Sequence, residues 1–477
     1  MSNQRVSGQR KCTNQSCGKI FLNLKRKCDV CSAKVESTQN NDLSFSVPEY
    51  WNLDKKGEKG VQLGQKLVHN PANICMGEPV LVNPNSYETV KIILDEYKKY
   101  HKIGDKREWV FLGCDGPPYQ IAQKIIMKEP KKYDWVALIT GFGHLHMNQM
   151  KTFFKVADKI IMEPLGKDVL NFVSPKAYQY FIDAKDTHKS FQALQVLLHG
   201  TALEFCHEYK EHCQKDNESC TAMGFLIWMN ENENEYIQLI YQLIFNFALA
   251  IFIQKVGIRC NDKRMIDAGR YTFLPMFYAF NHPIYQFIEY TDLQNRSSYP
   301  NDIKNIVENN LSFNKSNLPH NHQGGDFCLE EKIKKHKMVA PKGPVSNETW
   351  KKISRGLDEI EKICNKLVNN LRLATEEYYK EPNMYNEIVA WRALLRESMT
   401  LQKSEGEDAI LNLYGEPLSM SLEDFTAATV EKMENYWANV IKTEGKPVKN
   451  NLYEYLQVQE DIDLNFDSDD SYDEDDE

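Results

Sequence analysis

The chain has 477 residues, 42% of them apolar and 26% charged, a balance that excludes global disorder and leaves room for more than one domain. The formal charge of −9 is unevenly placed: residues 460–477 hold eleven acids and no base, so the remainder carries +2, while residues 1–36 hold eight Lys or Arg against two acids. A basic head and an acidic tail say more about partners than the total does.

The first residues, MSNQRVSGQRK, are polar and carry no apolar signal stretch. An intracellular, reducing compartment is therefore expected, with the nucleus favoured over the cytoplasm, and disulfides are not expected. Residues 1–36 hold Cys12-x4-Cys17-x10-Cys28-x2-Cys31. Two close cysteine pairs supply the four thiolates of a tetrahedral site, so a zinc ribbon with structural Zn2+ is predicted. So small a unit rarely folds without a metal. Four thiolates alone also admit an iron–sulfur cluster. Lys25, Arg26 and Lys27 precede the second pair and suit phosphate, though a solvated basic turn has the same composition. Residues 37–48 read as a linker.

From residue 49 strands and helices alternate. GEPVLVN is a strand, and Asn85 caps a helix to about His101. REWVFLGCDG is a strand ending at Asp115, QIAQKII is a helix, DWVALIT is a strand, and the segment from GFGHLHMNQMK turns into a helix. The alternation predicts a mixed α/β, helix-rich core over 49–345 with some parallel pairing. Asp115, at a strand end, is placed to hold Mg2+, or else it belongs to an Asp-Gly turn. His144 and His146, at i and i+2, point the same way if the backbone is extended and suit a metal or acid–base work; otherwise they are structural.

Residues 170–256 form a helical insertion. Within 236–253 the run YIQLIYQLIFNFALAIFI is apolar enough for a membrane span, but Gln238, Gln242 and Asn246 share one face, which favours a buried core helix. Cys206, His207, His212, Cys213 and Cys220 do not share a face cleanly and read as structural. In HNHQGGDFCLEE, Asp326 is positioned to cap the next helix and Glu330 to lie one turn along. The run Lys332, Lys334, Lys335 and Lys337 suits phosphate or solvent. Residues 346–450 are helical. A heptad seam from Ile353 to Ala374 and a break at Pro382 predict a helical hairpin over 349–402, with intramolecular packing favoured over a dimer. A further helix starts near Ser421, with Asp424 completing the cap. Residues 456–477 are too acidic to bury a core and are expected to be disordered, offering a contact for protein partners.

The succession GEPVLVNPNSYETV, WVFLGCDGPPY, GFGHLHMNQMK, GIRCNDKRMIDAGRYTFLPMFYAFNHPIYQFIEYTDL and HNHQGGDFCLEEKIKKHKMVAPKGP resembles an uncharacterised family of transposon-derived proteins in invertebrate genomes, over roughly residues 50–365. The resemblance implies a distant relation to transposases with an RNase H-like core, in which acidic residues hold two Mg2+ ions. It matches Asp115 to a strand acid, and Glu330 or Asp326 to the helical acid. The strand after Trp135 ends in Gly-Phe-Gly-His, without a third carboxylate. The reading is therefore a nucleic-acid-binding protein that contacts DNA through its ribbon and through basic residues such as Lys334 and Lys335, around a degenerate nuclease-like core. The alternatives are an active Mg2+-dependent transposase or nuclease, and a protein-interaction module without catalysis.

Overall fold

The computed structural model describes residues 86–434 apart from 233, 281, 315–319, 372–382, 402–409 and 420, together with residues 32 and 77 and three short strands near the N-terminus. Those strands, β1 (Arg10–Cys12), β2 (Ile20–Phe21) and β3 (Val35–Ser37), form an antiparallel sheet in the order β2-β1-β3. Cys12 ends β1. Cys17, Cys28 and Cys31 lie outside the described residues, as do Lys25, Arg26, Lys27, the linker beyond Ser37, all but the first residue of GEPVLVN, and the acidic tail.

The main body opens with α1 (Tyr87–Tyr100). Ser86, not Asn85, holds the cap: its backbone is extended and its hydroxyl accepts from Thr89 N, three residues on. Then β4 (Val110–Cys114), α2 (Gly116–Lys128), β5 (Val136–Thr140) and α3 (Phe142–Val156) follow in the expected order. β4 and β5 pair in parallel, from Val110 opposite Val136 to Cys114 opposite Thr140. Parallel strands are covered on both faces, which is why VALIT has no polar alternation; all five residues are buried. Val136 and Leu138 face a smaller core shared with α1 and α2. Ala137 and Ile139 face the larger core of the helical body. Among the described residues this sheet has two strands.

The helical body begins with α4 (Pro175–Ile182), α5 (Thr187–Asp216), α6 (Ala222–Asn230), α7 (Glu235–Tyr241) and α8 (Leu249–Cys260). α7, a π-helical stretch at Gln242–Ala248 and α8 run on as one 26-residue helix. Its length and mean hydropathy of 1.8 would allow a membrane crossing, yet half of its most apolar window is buried inside the protein. α9 (Lys263–Ala279) returns along α8. The approach is close: a Cβ on Gly269 would lie 2.5 Å from Ala250 O. α10 (Pro283–Ser298) covers α2 and β5.

A buried ion network joins α9, α10 and the end of β5. Arg270 pairs with Glu289 at 2.9 Å and Asp292 at 2.8 Å, and Arg296 pairs with Asp292 and Asp267. Asp292 also accepts from Thr140 N. Buried charges of this kind must be paired and hydrogen-bonded to be tolerated. Here they anchor the strand end at which the site is built.

The chain continues through α11 (Asn301–Asn309), the antiparallel pair β6 (Phe313–Asn314) and β7 (His322–Gln323), α12 (Gly325–Val339), α13 (Asn347–Asn370), α14 (Tyr385–Leu401) and α15 (Leu422–Thr426). Ser421 and Asp424 form the expected capping box at α15. The expected hairpin is replaced by two separate pairings. α14 lies along α5, where Trp391 Nε1 donates to Thr201 Oγ1 at 3.0 Å and Arg392 and Arg396 clasp Glu204. α13 rests on α12, where Lys332 pairs with Asp358 and Glu361. α14 carries its own buried face, Ile388, Trp391 and Leu395, whereas Ile360, Leu367 and Leu371 of the seam are exposed.

Candidate functional site

β4 and β5 end side by side, and each passes directly into a helix. Asp115 follows β4 and caps α2, its Oδ1 accepting from Gly116 N at 2.6 Å. Gly141 follows β5 and heads α3 without a side-chain cap. Two helix N-termini therefore open at the carboxyl ends of parallel strands, the usual ligand position in α/β sheets.

The cap missing from α3 comes from a residue 183 positions further along the chain than Gly143. Asp326, in the first turn of α12, accepts from Gly143 N at 3.0 Å and His144 N at 2.7 Å. Glycine permits this approach. A Cβ on Gly143 would lie 2.7 Å from the Phe327 ring and 2.8 Å from the Asp326 carboxylate. Asp326 thus caps α3, not its own helix, whose N-cap Gly324 has no side chain.

His144 is the hub. Its Nδ1 lies 3.0 Å from Asp326 Oδ2, and its Nε2 lies 3.0 Å from Glu330 Oε1 and 3.4 Å from Asp115 Oδ2. The three predicted acids thus meet around one imidazole, two of them on a single nitrogen. The ring is 13% exposed, whereas Asp115 is 41% and Glu330 33% exposed, so the open side of the cluster belongs to those two carboxylates. Asn148 secures the rim, donating to His144 O at 2.9 Å and to the Tyr285 hydroxyl at 2.6 Å.

The electrostatics follow from this arrangement. Burial alone would lower the His144 pKa, but hydrogen bonds to Asp326 and Glu330 and the charge of Asp115 raise it to about 10. Burial pushes Asp326 up, yet its bonds from the His144 ring and the backbone outweigh that and hold it below the ordinary carboxylate value. For Asp115 burial wins over His144 and Gly116, and its pKa rises. Cys114, half-buried beside it, is pushed up to about 12 by desolvation and by the Asp115 charge, so it stays a thiol.

Asp326 has committed both oxygens. It fixes His144 with a proton on Nδ1; the raised pKa also keeps a proton on Nε2 at neutral pH, and a cation bound between Nε2, Asp115 Oδ2 and Glu330 Oε1 would have to displace that proton. A carboxylate behind a histidine whose other nitrogen faces further ligands is the usual outer shell of a metal-binding imidazole. One nitrogen and two hard oxygens suit a divalent cation.

The other candidates separate. His146 lies on helical rather than extended backbone, so it does not share the direction of His144. It is buried against Phe191 and its pKa is pushed well down by burial. His320 contacts Cys260 Sγ at 3.2 Å, and His322 lies near Ser312 on β7. Lys335 pairs with Glu361, as Lys332 does, which removes half of the expected basic face; Lys334 is exposed. The cluster around Cys206 does not assemble: Cys213 is buried, Cys206 and Cys220 are exposed, and His212 faces Asp216.

Glu204, His207 and Glu208 do bring ligand atoms within 4.8 Å of one another. This grouping was missed because the acids flanking His207 look like ordinary helix charges. Glu204, however, is held at both oxygens by Arg392 and Arg396, which a cation would have to displace. The hub role of His144 was also missed; its only sequence signal was a histidine just after a strand that ends near an acid-bearing one. Comparison with models of known families, with characterised proteins and with solved structures finds no match for this chain.

Proposed function

We propose that this chain is a metal-dependent DNA-processing protein of transposase or nuclease type, with Asp115, Glu330 and His144 Nε2 as ligands to a divalent cation and Asp326 as the residue that orients His144. One observation carries the reading: acids on two distant segments, singled out as a strand acid and a helical acid, converge on one nitrogen at the ends of parallel strands. A divalent ion supplies phosphodiester chemistry with Lewis acidity and an activated water. The chain's own part is to hold the ligands and to fix the imidazole tautomer through Asp326. In the same proposal the ribbon cysteines Cys12, Cys17, Cys28 and Cys31 hold a structural Zn2+, and Lys25, Arg26, Lys27 and Lys334 contribute nonspecific backbone contacts to DNA. A transposon-derived origin and a nuclear location belong to it too, as does a protein contact made by the acidic tail.

The test is strand cleavage of a plasmid with Mn2+ or Mg2+. Wild type nicks or joins strands, and Asp115→Ala and Glu330→Ala each lose about 10²-fold or more, the scale of removing one electrostatic stabiliser. Equal activity in all three would remove the reading. A second reading rests on His144 itself. Its raised pKa makes it a cation already matched to the carboxylates, as in a degenerate core that only binds DNA. DNA binding without cleavage in any metal would favour that reading.

A further inference from the structure

A lysine beside the cluster plays no part in the arrangement described so far. Lys255, on α8, is half-buried, with its Nζ 5.4 Å from the Phe327 ring centroid and 5.9 Å from that of Phe191. Phe327 in turn packs on Gly143, the residue before His144. Among the described residues Lys255 forms no ion pair, in contrast to Lys332 and Lys335 on the neighbouring α12. Burial and the nearby charge of Arg259 push its pKa down to about 8, only partly offset by Asp326.

An ammonium partly withdrawn from water requires compensation. Two ring faces supply some of it, and Asp326 adds a little from a distance without forming an ion pair. The carboxylates at hand are committed elsewhere: Asp326 to α3 and His144, and Glu330 to Nε2. An anion arriving from outside would complete that compensation, beside a site already proposed to hold a divalent cation.

We propose that Lys255 binds a phosphate oxygen of the DNA strand lying in the Asp115–Glu330 site, and so sets the register of that strand against the metal. The inference rests on the metal-dependent reading for its meaning, but it can be measured separately. The aromatic walls make the ammonium a point charge of fixed position, reached by one backbone phosphate. A base edge would require a donor–acceptor pattern that a lone ammonium does not present.

The experiment uses the full chain with zinc bound and a 20-base-pair duplex. Lys255→Met keeps the volume between the two rings and removes the charge; Lys255→Arg keeps the charge. Duplex affinity is measured across salt concentrations, and Mn2+ affinity is measured in parallel. Lys255→Met is expected to bind DNA about tenfold more weakly at low salt, with a log–log salt slope shallower by about 0.9, the value of one phosphate contact. Mn2+ affinity stays at the wild-type value, and Lys255→Arg recovers most of the loss. In cleavage assays KM rises more than kcat falls. An unchanged affinity and slope in Lys255→Met overturns the inference, while loss of Mn2+ binding in Asp115→Ala leaves the metal reading standing. The reverse result, a changed slope with no Mn2+ bound by wild type, keeps Lys255 as a DNA contact and removes the metal.

Discussion

Asp326 performs two functions with one carboxylate, and its removal should separate them. Asp326→Asn keeps an acceptor for the α3 amides but weakens the hold on the His144 Nδ1 proton. Loss of such an outer-shell carboxylate typically lowers metal affinity or activity about 10–100-fold. The fold should change little, so a Tm close to wild type together with reduced Mn2+ affinity is the expected pair of results. Gly143→Ala is a steric test at the same place. Its Cβ would meet Phe327 and Asp326 at under 3 Å, which is overpacking worth about 1–3 kcal/mol, read from urea unfolding. Asp115 and Asp326 were legible as acids beside a strand end and a glycine turn, and Glu330 as the acid one helical turn beyond Asp326. The trans cap was not, because the two oxygens of Asp326 reach a helix almost two hundred residues earlier. Further from the site, burial holds His199 down to about 3, whereas in the unfolded chain it titrates near 6.5. A depressed folded pKa gives stability that is present above about 6.5 and lost as the pH falls toward 3, because the unfolded chain takes up the proton first. His199→Gln should therefore flatten the decline in urea midpoint between pH 7 and pH 4.5. Equal declines in variant and wild type would contradict this.

At the scale of elements, period and punctuation located β4, α2, β5 and α3 well, since an unbroken apolar strand between turn signals has few other solutions. Cap positions slipped by one residue at α1, where neighbouring Asn85 and Ser86 are both good caps and only the three-residue reach of Ser86 to Thr89 decides. Helix partners were not legible. The seam of α13 suggested α14, but Trp391 of α14 instead fits against Gly200 of α5, where any Cβ would lie 2.5 Å from the indole. Trp391→Ala should therefore destabilise the protein by about 3–5 kcal/mol. The loss should come with detachment of α14, seen as faster amide exchange in both α14 and α5. If exchange rises in α14 and α13 instead, the pairing described here is wrong.

Across the whole molecule, two apolar cores share one strand. β5 gives Val136 and Leu138 to one and Ala137 and Ile139 to the other, and the buried Arg270 network fastens its end. That rigidity is what a preorganised site requires, since ligands must be held within a fraction of an ångström. The helical body, α12 included, then acts as the arm that carries Asp326 and Glu330 to the strand ends. Calorimetric titration of the full chain with Mn2+ tests this most directly. The account predicts one Mn2+ bound per chain by wild type and none at the same concentrations by Asp115→Ala or Glu330→Ala, with all three equally folded. Identical Mn2+ binding by the three proteins, or none by wild type, would contradict it.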